Sequence, residues 1–361
     1  MQDESITSAG GIDLMPQYKK SALLVSTYFM VVFVLRYIAV IIINAVAYAL
    51  RESAENAQAA VDYDTLFLIE IAISGTFLQV LPSVIGAFMF RYLGKNGKGI
   101  ACLYRIPKSC SRAVGDFGAV YGLAHGVNVI TIIVMYILTS KADIMQKANT
   151  VSDMPKSIVS AWGMFFMLVV IAPLFEEFMF RGLVLNELRP YGSGIAIFVS
   201  GVMFGVFHGN FQQCFYTAAA GIAMGYIAYV TGSLVPTTVI HMIMNGLAGI
   251  LTLLMSTDPV QKYILNGDSS EIPESDMLWV AAFGIFVVCI LILILVGVIM
   301  AVVKLRQILR HKPKKVWSEV SGGKKLGVLL LTVPSVITLI MIIDVYGKFS
   351  EQLIAKLFGG T

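Results

Sequence analysis

The chain has 361 residues, of which 57% are hydrophobic and 13% charged, with a formal net charge of +4 and a mean hydropathy of +0.81. Soluble domains average about 45–50% apolar and about 25% charged residues, so this composition excludes an ordinary soluble globule and places most of the chain in lipid. The four cysteines, Cys102, Cys110, Cys214 and Cys289, form no CxxC pair, which argues against a disulfide framework and a cysteine-based metal site.

Residues 1–20 are polar and read as a cytoplasmic N-terminal segment. The first apolar run is too long for the h-region of a signal peptide, so no cleavable signal is expected. Apolar runs near or above about 18 residues predict spanning helices. Three lie in the N-terminal part, at 21–50, 66–90 and 115–138. Four more, at 157–175, 194–208, 213–230 and 235–255, fall within a central core assigned to 157–255. Two C-terminal helices follow at 277–303 and 326–346, within 277–346, and then a short tail at 347–361. The fourth run is expected to continue as helix to Leu188, where Arg189-Pro190-Tyr191-Gly192 supplies a stop. The fifth is short for a span. The expected fold is an all-α polytopic transmembrane bundle of eight or nine spanning helices, nine being favoured.

Loop charge favours nine. Segment 91–112 carries Arg91, Lys95, Lys98, Arg105, Lys108 and Arg112 without an acid. Segment 304–325 carries Lys304, Arg306, Arg310, Lys312, Lys314, Lys315, Lys324 and Lys325 against Glu319. Alternate loops are acidic, with Glu52, Glu55, Asp62 and Asp64 in one and Asp258, Asp268, Glu271, Glu274 and Asp276 in another. Basic loops stay in the cytoplasm, so all these loops agree on a cytoplasmic N-terminus if there are nine spans. Two short basic loops beside spans are topology signals rather than a nucleic-acid surface, and no nucleic-acid partner is expected.

Ionisable groups inside spans are costly and point to function by default. They concentrate in one stretch. Pro173-Leu174-Phe175-Glu176-Glu177-Phe178-Met179-Phe180-Arg181 puts adjacent carboxylates on an apolar helix with Arg181 a turn after Glu177. The next run ends Phe204-Gly205-Val206-Phe207-His208, and a later one reads His241-Met242-Ile243-Met244-Asn245, its polar ends sharing one helix face. Hydrolysis of a peptide bond needs a base for water, a proton for the leaving amine and donors for the oxyanion. A carboxylate in a low-dielectric span is a better base than one in water, a histidine can share its proton, and a histidine–asparagine pair can clamp an oxyanion. Taken singly, Glu177–Arg181 is a structural helix pair, His208 an interfacial residue and His241–Asn245 interhelical glue. Together, and in this order, they read as one site.

The ordered set EExxxR, FxxxH and HxxxN on hydrophobic helices resembles the CPBP family, the CAAX-protease and bacteriocin-processing enzymes also called the Abi family. Phe180-Arg181-Gly182 after the glutamates and Thr231-Gly232-Ser233-Leu234-Val235-Pro236 before the last motif match as well, over about Ala161 to Gly246. The resemblance implies that Glu176 is the base and His208 its partner in activating water. It implies His241 and Asn245 as oxyanion donors and Glu177 and Arg181 as support. Both a metalloprotease and a metal-free glutamate/histidine mechanism have been attached to the family. Glu176, His208 and His241 would fill three zinc positions and leave a fourth for water. No HExxH occurs in the chain, which tilts the expectation toward no cofactor rather than Zn2+.

Other intramembrane proteases fit less well. Ser74-Gly75 and Ser200-Gly201 lack the first glycine of GxSG, Gly115-Asp116 lacks that of GxGD, and Asp344 has no evident aspartate partner. Outside the motif set, His125 reads as a packing contact and His311 as a solvated loop residue. Arg36, about 22 Å along the first span, reads as the partner of Glu70. The expected function is an intramembrane endopeptidase acting on a small or membrane-bound peptide, lipid-modified or not, in a bacterial plasma membrane. Membrane lipid and that substrate are the expected partners. The competing class is a non-proteolytic scaffold or sensor of the bacteriocin self-immunity type, with a transporter third.

Overall fold

The computed structural model describes residues 14–56, 63–94, 106, 113–139, 158–268, 271–310 and 320–344. Every regular element among them is a helix, because backbone groups in hydrocarbon find no water and must bond within their own segment. Apart from a short helical segment at Asp258–Val260 and Gln261–Leu265, these are in chain order α1 (Met15–Asn56), α2 (Asp64–Tyr92), α3 (Ala113–Thr139), α4 (Ser160–Tyr191) and α5 (Ser193–Phe207). There follow α6 (Phe211–Thr231), α7 (Val235–Met255), α8 (Glu274–Arg310), α9 (Gly322–Leu330) and α10 (Val333–Asp344). The chain is an integral membrane protein with an all-α bundle fold.

Seven of these helices are long and apolar enough to cross a bilayer, and there are eight if α9 with α10, bent by 77°, counts as one broken span. The nine spans favoured from sequence therefore fall to seven or eight by length. The one that drops out in either count is α5, whose 15 residues rise about 22 Å against a hydrocarbon core of about 30 Å. The fourth helix runs past the expected Leu188 to Tyr191, its last turn tightening to a 3₁₀ helix at Arg189–Tyr191.

Side-chain contacts show which helix ends share a side. Ser21 at the start of α1 donates to Glu187 Oε1 (2.5 Å) and lies 3.0 Å from the Tyr191 hydroxyl at the end of α4. Lys325 in α9 donates to the Tyr191 carbonyl, and Tyr18 donates to the Lys325 carbonyl. Lys304 near the end of α8 pairs with Asp116 at the start of α3. At the other side Arg36 donates to the carbonyls of Phe207 (2.8 Å) and His208 (3.4 Å), and Tyr37 donates to Asp344 (2.5 Å). Both basic segments thus flank one face, and α5, though short, carries the chain from that face toward the other.

Without a hydrophobic force between helices in lipid, small residues let backbones approach and gain dispersion contacts. A Cβ at Gly122 of α3 would stand 1.9 Å from the Gly297 carbonyl carbon of α8. One at Gly205 of α5 would stand 2.4 Å from the Cys214 carbonyl oxygen of α6. The central element is α4. Its Met179, Phe180, Leu183, Val184 and Leu188 are buried against Tyr28 of α1, Phe90 of α2, Phe204 of α5 and Met224 of α6. Leu291, Ile292, Leu295 and Ile299 of α8 face outward instead, as lipid-facing side chains do.

Candidate active site

The glutamates sit where α4 departs from regular α geometry. Met167–Ile171 is π-helical, so each amide there bonds five residues back, and the Ala172 N–H reaches the Met167 carbonyl. The next amide in that register belongs to Pro173, which has no N–H, and the Leu168 carbonyl is left to another donor. Asn245 supplies it: its Nδ2 donates to Leu168 O at 2.8 Å. The α-helical turn Ala172–Glu177 follows, with Pro173 in its first turn, and then a second π stretch at Phe178–Leu185. π-Helical insertions of this kind concentrate at functional sites.

Glu176 and Glu177 are both buried, yet they meet different partners. Glu177 Oε1 lies 3.0 Å from Arg181 NH1 and 3.2 Å from His241 Nδ1. Arg181 is fully buried, donates to the Gly221 carbonyl at 3.1 Å and stacks its guanidinium 4.5 Å from the centre of the Phe204 ring. Charges removed from water persist when paired, and here the pair is closed by the Glu177–Arg181 contact, the Arg181–Gly221 bond and the His241–Glu177 bond, while Glu177 Oε2 and Arg181 Nε find no hydrogen-bond partner among the described residues. Glu176 Oε1 accepts from Gln79 Nε2 at 2.9 Å, and its Oε2 stands 3.8 Å from His241 Nε2.

These contacts assign the histidine tautomers. An ionised carboxylate and a backbone carbonyl only accept, so His241 carries a proton on Nδ1 toward Glu177. His208 likewise carries one on Nδ1 toward the Phe204 carbonyl, 2.9 Å away. In both rings Nε2 is left for chemistry. His208 caps α5, and the turn behind it is fixed by Gly209 at φ +64°. Arg36 then satisfies carbonyls that the helix end leaves open.

Glu176, His208, His241 and Asn245 line one cavity of about 520 Å³, together with Gln79, Glu70, Ser74, Gln213, Tyr216 and Thr217. Glu177 and Arg181 stand behind it, buried in the α4–α5–α6 packing. Glu70 faces this cavity while Arg36 serves the end of α5. His125 packs edge-on against Tyr121, 4.2 Å between ring centres, and His311 lies outside the described residues. No three His, Cys, Asp or Glu side chains gather to hold an ion among the described residues. In His208 and His241 the bond at Nδ1 orients the ring and leaves Nε2, the nitrogen that a metal would take.

Sequence reasoning missed two residues. Gln79 is uncharged, so a search for ionisable groups in spans passes over it, although a buried amide in lipid asks the same question. Phe204 was read only as the start of a motif. Its ring lies edge-on to His208 (4.9 Å) and His241 (5.5 Å) and under Arg181, and its carbonyl orients His208. No curated protein and no solved structure matches the chain. Residues 158–247, which hold both glutamates, Arg181, both site histidines and Asn245, match the family model described as Type II CAAX prenyl endopeptidase Rce1-like, so that stretch is similar to the CAAX-protease and bacteriocin-processing family.

Proposed function

We propose that this protein is an intramembrane endopeptidase that cleaves a membrane-associated peptide, with Glu176 and His208 activating water and His241 and Asn245 binding the oxyanion. The observation that carries this reading is the shared cavity, where Glu176, two histidines and an asparagine meet inside the family-matched stretch, with the Glu177–Arg181 pair behind them. Glu176 Oε2 takes a proton from water as its oxygen adds to the peptide carbonyl carbon. The oxyanion that forms lies toward α7. There the second N–H of the Asn245 amide donates, and so does His241 Nε2, which takes a proton from solvent before the water attacks and keeps it through the step, its imidazolium balanced by Glu177 beside Nδ1. The C–N bond then breaks, and the proton held by Glu176 passes by way of His208 to the leaving amine. No metal takes part. The basic face of the bundle is cytoplasmic.

The test uses the full-length protein in detergent or vesicles and an internally quenched, farnesylated CAAX peptide, with its unprenylated counterpart in parallel. Glu176→Gln keeps shape and cannot act as a base, so cleavage falls by about 10²–10⁴-fold while folding persists. Glu177→Gln falls less. Activity survives exhaustive chelation with no metal detected by elemental analysis. Wild-type cleavage by Glu176→Gln would return the protein to the scaffold class.

A further inference from the structure

We propose that Gln79, on α2 and outside the family-matched stretch, is a positioning residue that holds Glu176 with one carboxylate oxygen tied and the other free to take the proton. The inference rests on Glu176 being the base. Gln79 is 5% exposed, and a buried amide in a span is costly unless it is bonded. Its Nε2 donates to Glu176 Oε1 at 2.9 Å, and its own Oε1 finds no partner among the described residues. Among the described residues Glu176 is thus the one hydrogen-bond partner of this amide.

The backbone is built to bring it there. Phe67, Ile71 and Ser74 line the cavity at α-helical spacing. In a continuing α-helix Gln79 would lie about 140° round the axis from Ser74. Instead Gly75–Val80 is π-helical, with the Leu81 N–H bonded to the Thr76 carbonyl. The wider turn swings Gln79 back onto the line of Ser74, into the cavity wall. A donor on Oε1 leaves Oε2 as the oxygen facing His241. The first helices thus complete the active site.

The experiment compares Gln79→Met and Gln79→Glu with wild type on the quenched farnesylated peptide, with Glu176→Gln as reference. Gln79→Met keeps the length without the donor. Its kcat should fall by about 10- to 100-fold, as expected for a misaligned reacting group, with KM changed less than about twofold. Gln79→Glu regains a donor only when its new carboxyl is protonated. Its activity relative to wild type should therefore rise from about pH 8 to about pH 5, across the upper carboxylate range. A packing role alone would lower thermal stability and leave no acid rescue. An inactive Glu176→Gln beside a Gln79→Met of wild-type kcat, or a flat Gln79→Glu ratio, overturns this inference alone. A fully active Glu176→Gln overturns the assignment of the base, and this inference with it.

Discussion

In the proposed mechanism Asn245 serves both the helix and the chemistry. One amide N–H is spent on the Leu168 carbonyl that Pro173 leaves without a donor. The other is free for an oxyanion. Asn245→Ala should therefore have two separable effects. Leaving the Leu168 carbonyl unpaired costs about 1–3 kcal/mol of stability, visible in thermal unfolding. Loss of an oxyanion donor costs about 10²–10³-fold in turnover per folded molecule. A destabilised variant with unchanged turnover would leave Asn245 only its structural bond. At this scale the charged residues were legible, because ionisable side chains are rare in an apolar chain. The Glu177–Arg181 pair was legible too, from its four-residue spacing. The partner of Glu176 was not, and only the packing shows that it meets Gln79.

Among the elements, the helices were legible from apolar length, and their departures from α geometry were not. A π turn adds one residue without changing composition, so neither the stretch at Gly75–Val80 nor those at Met167–Ile171 and Phe178–Leu185 leaves a trace in periodicity. The end of α5 is a case where the sequence carries a cue that needs the structure to be read. Gly209 holds φ +64°, and a Cβ there would stand 2.1 Å from Arg36 NH2. Two effects, backbone strain and collision with a guanidinium anchored on the Phe207 and His208 carbonyls, should act together in Gly209→Ala. The left-handed conformation alone costs a non-glycine residue about 1–2 kcal/mol. In an Arg36→Leu background the collision disappears and only that strain remains. A double-mutant cycle read by chemical or thermal unfolding should give a coupling of about 0.5–3 kcal/mol. A coupling of zero would mean that Arg36 moves aside freely and does not fix the His208 turn.

For the molecule as a whole, helix length and loop charge disagree about α5, and the contacts decide between them. Counted by length, five spans separate the segments 91–112 and 304–325, which would put the two basic loops on opposite faces. Counted with α5 they lie on one face. The pairing of Lys304 with Asp116, and the bonds from Lys325 and Ser21 to Tyr191, gather those ends together. The charge pattern was the better guide because it records sidedness, whereas length assumes that each helix must cover the full core. A helix about 8 Å short of the core ends below the far surface, and that is where His208 meets the cavity. The depth agrees with α1: Arg36 lies 15 residues past Ser21, as His208 lies 15 past Ser193, and Arg36 bonds to the His208 carbonyl. Single cysteines at Asp268 and Lys324, both exposed, test this topology once Cys102, Cys110, Cys214 and Cys289 are replaced by serine. In intact cells an impermeant maleimide should label Asp268→Cys and spare Lys324→Cys until the membrane is opened. Labelling of both in intact cells would mean that α8 does not cross, and the reverse pattern would mean that α5 does not count as a crossing or that the protein is turned over. Arg91→Cys, at an exposed position, separates these two, staying protected in the first case and labelled in the second.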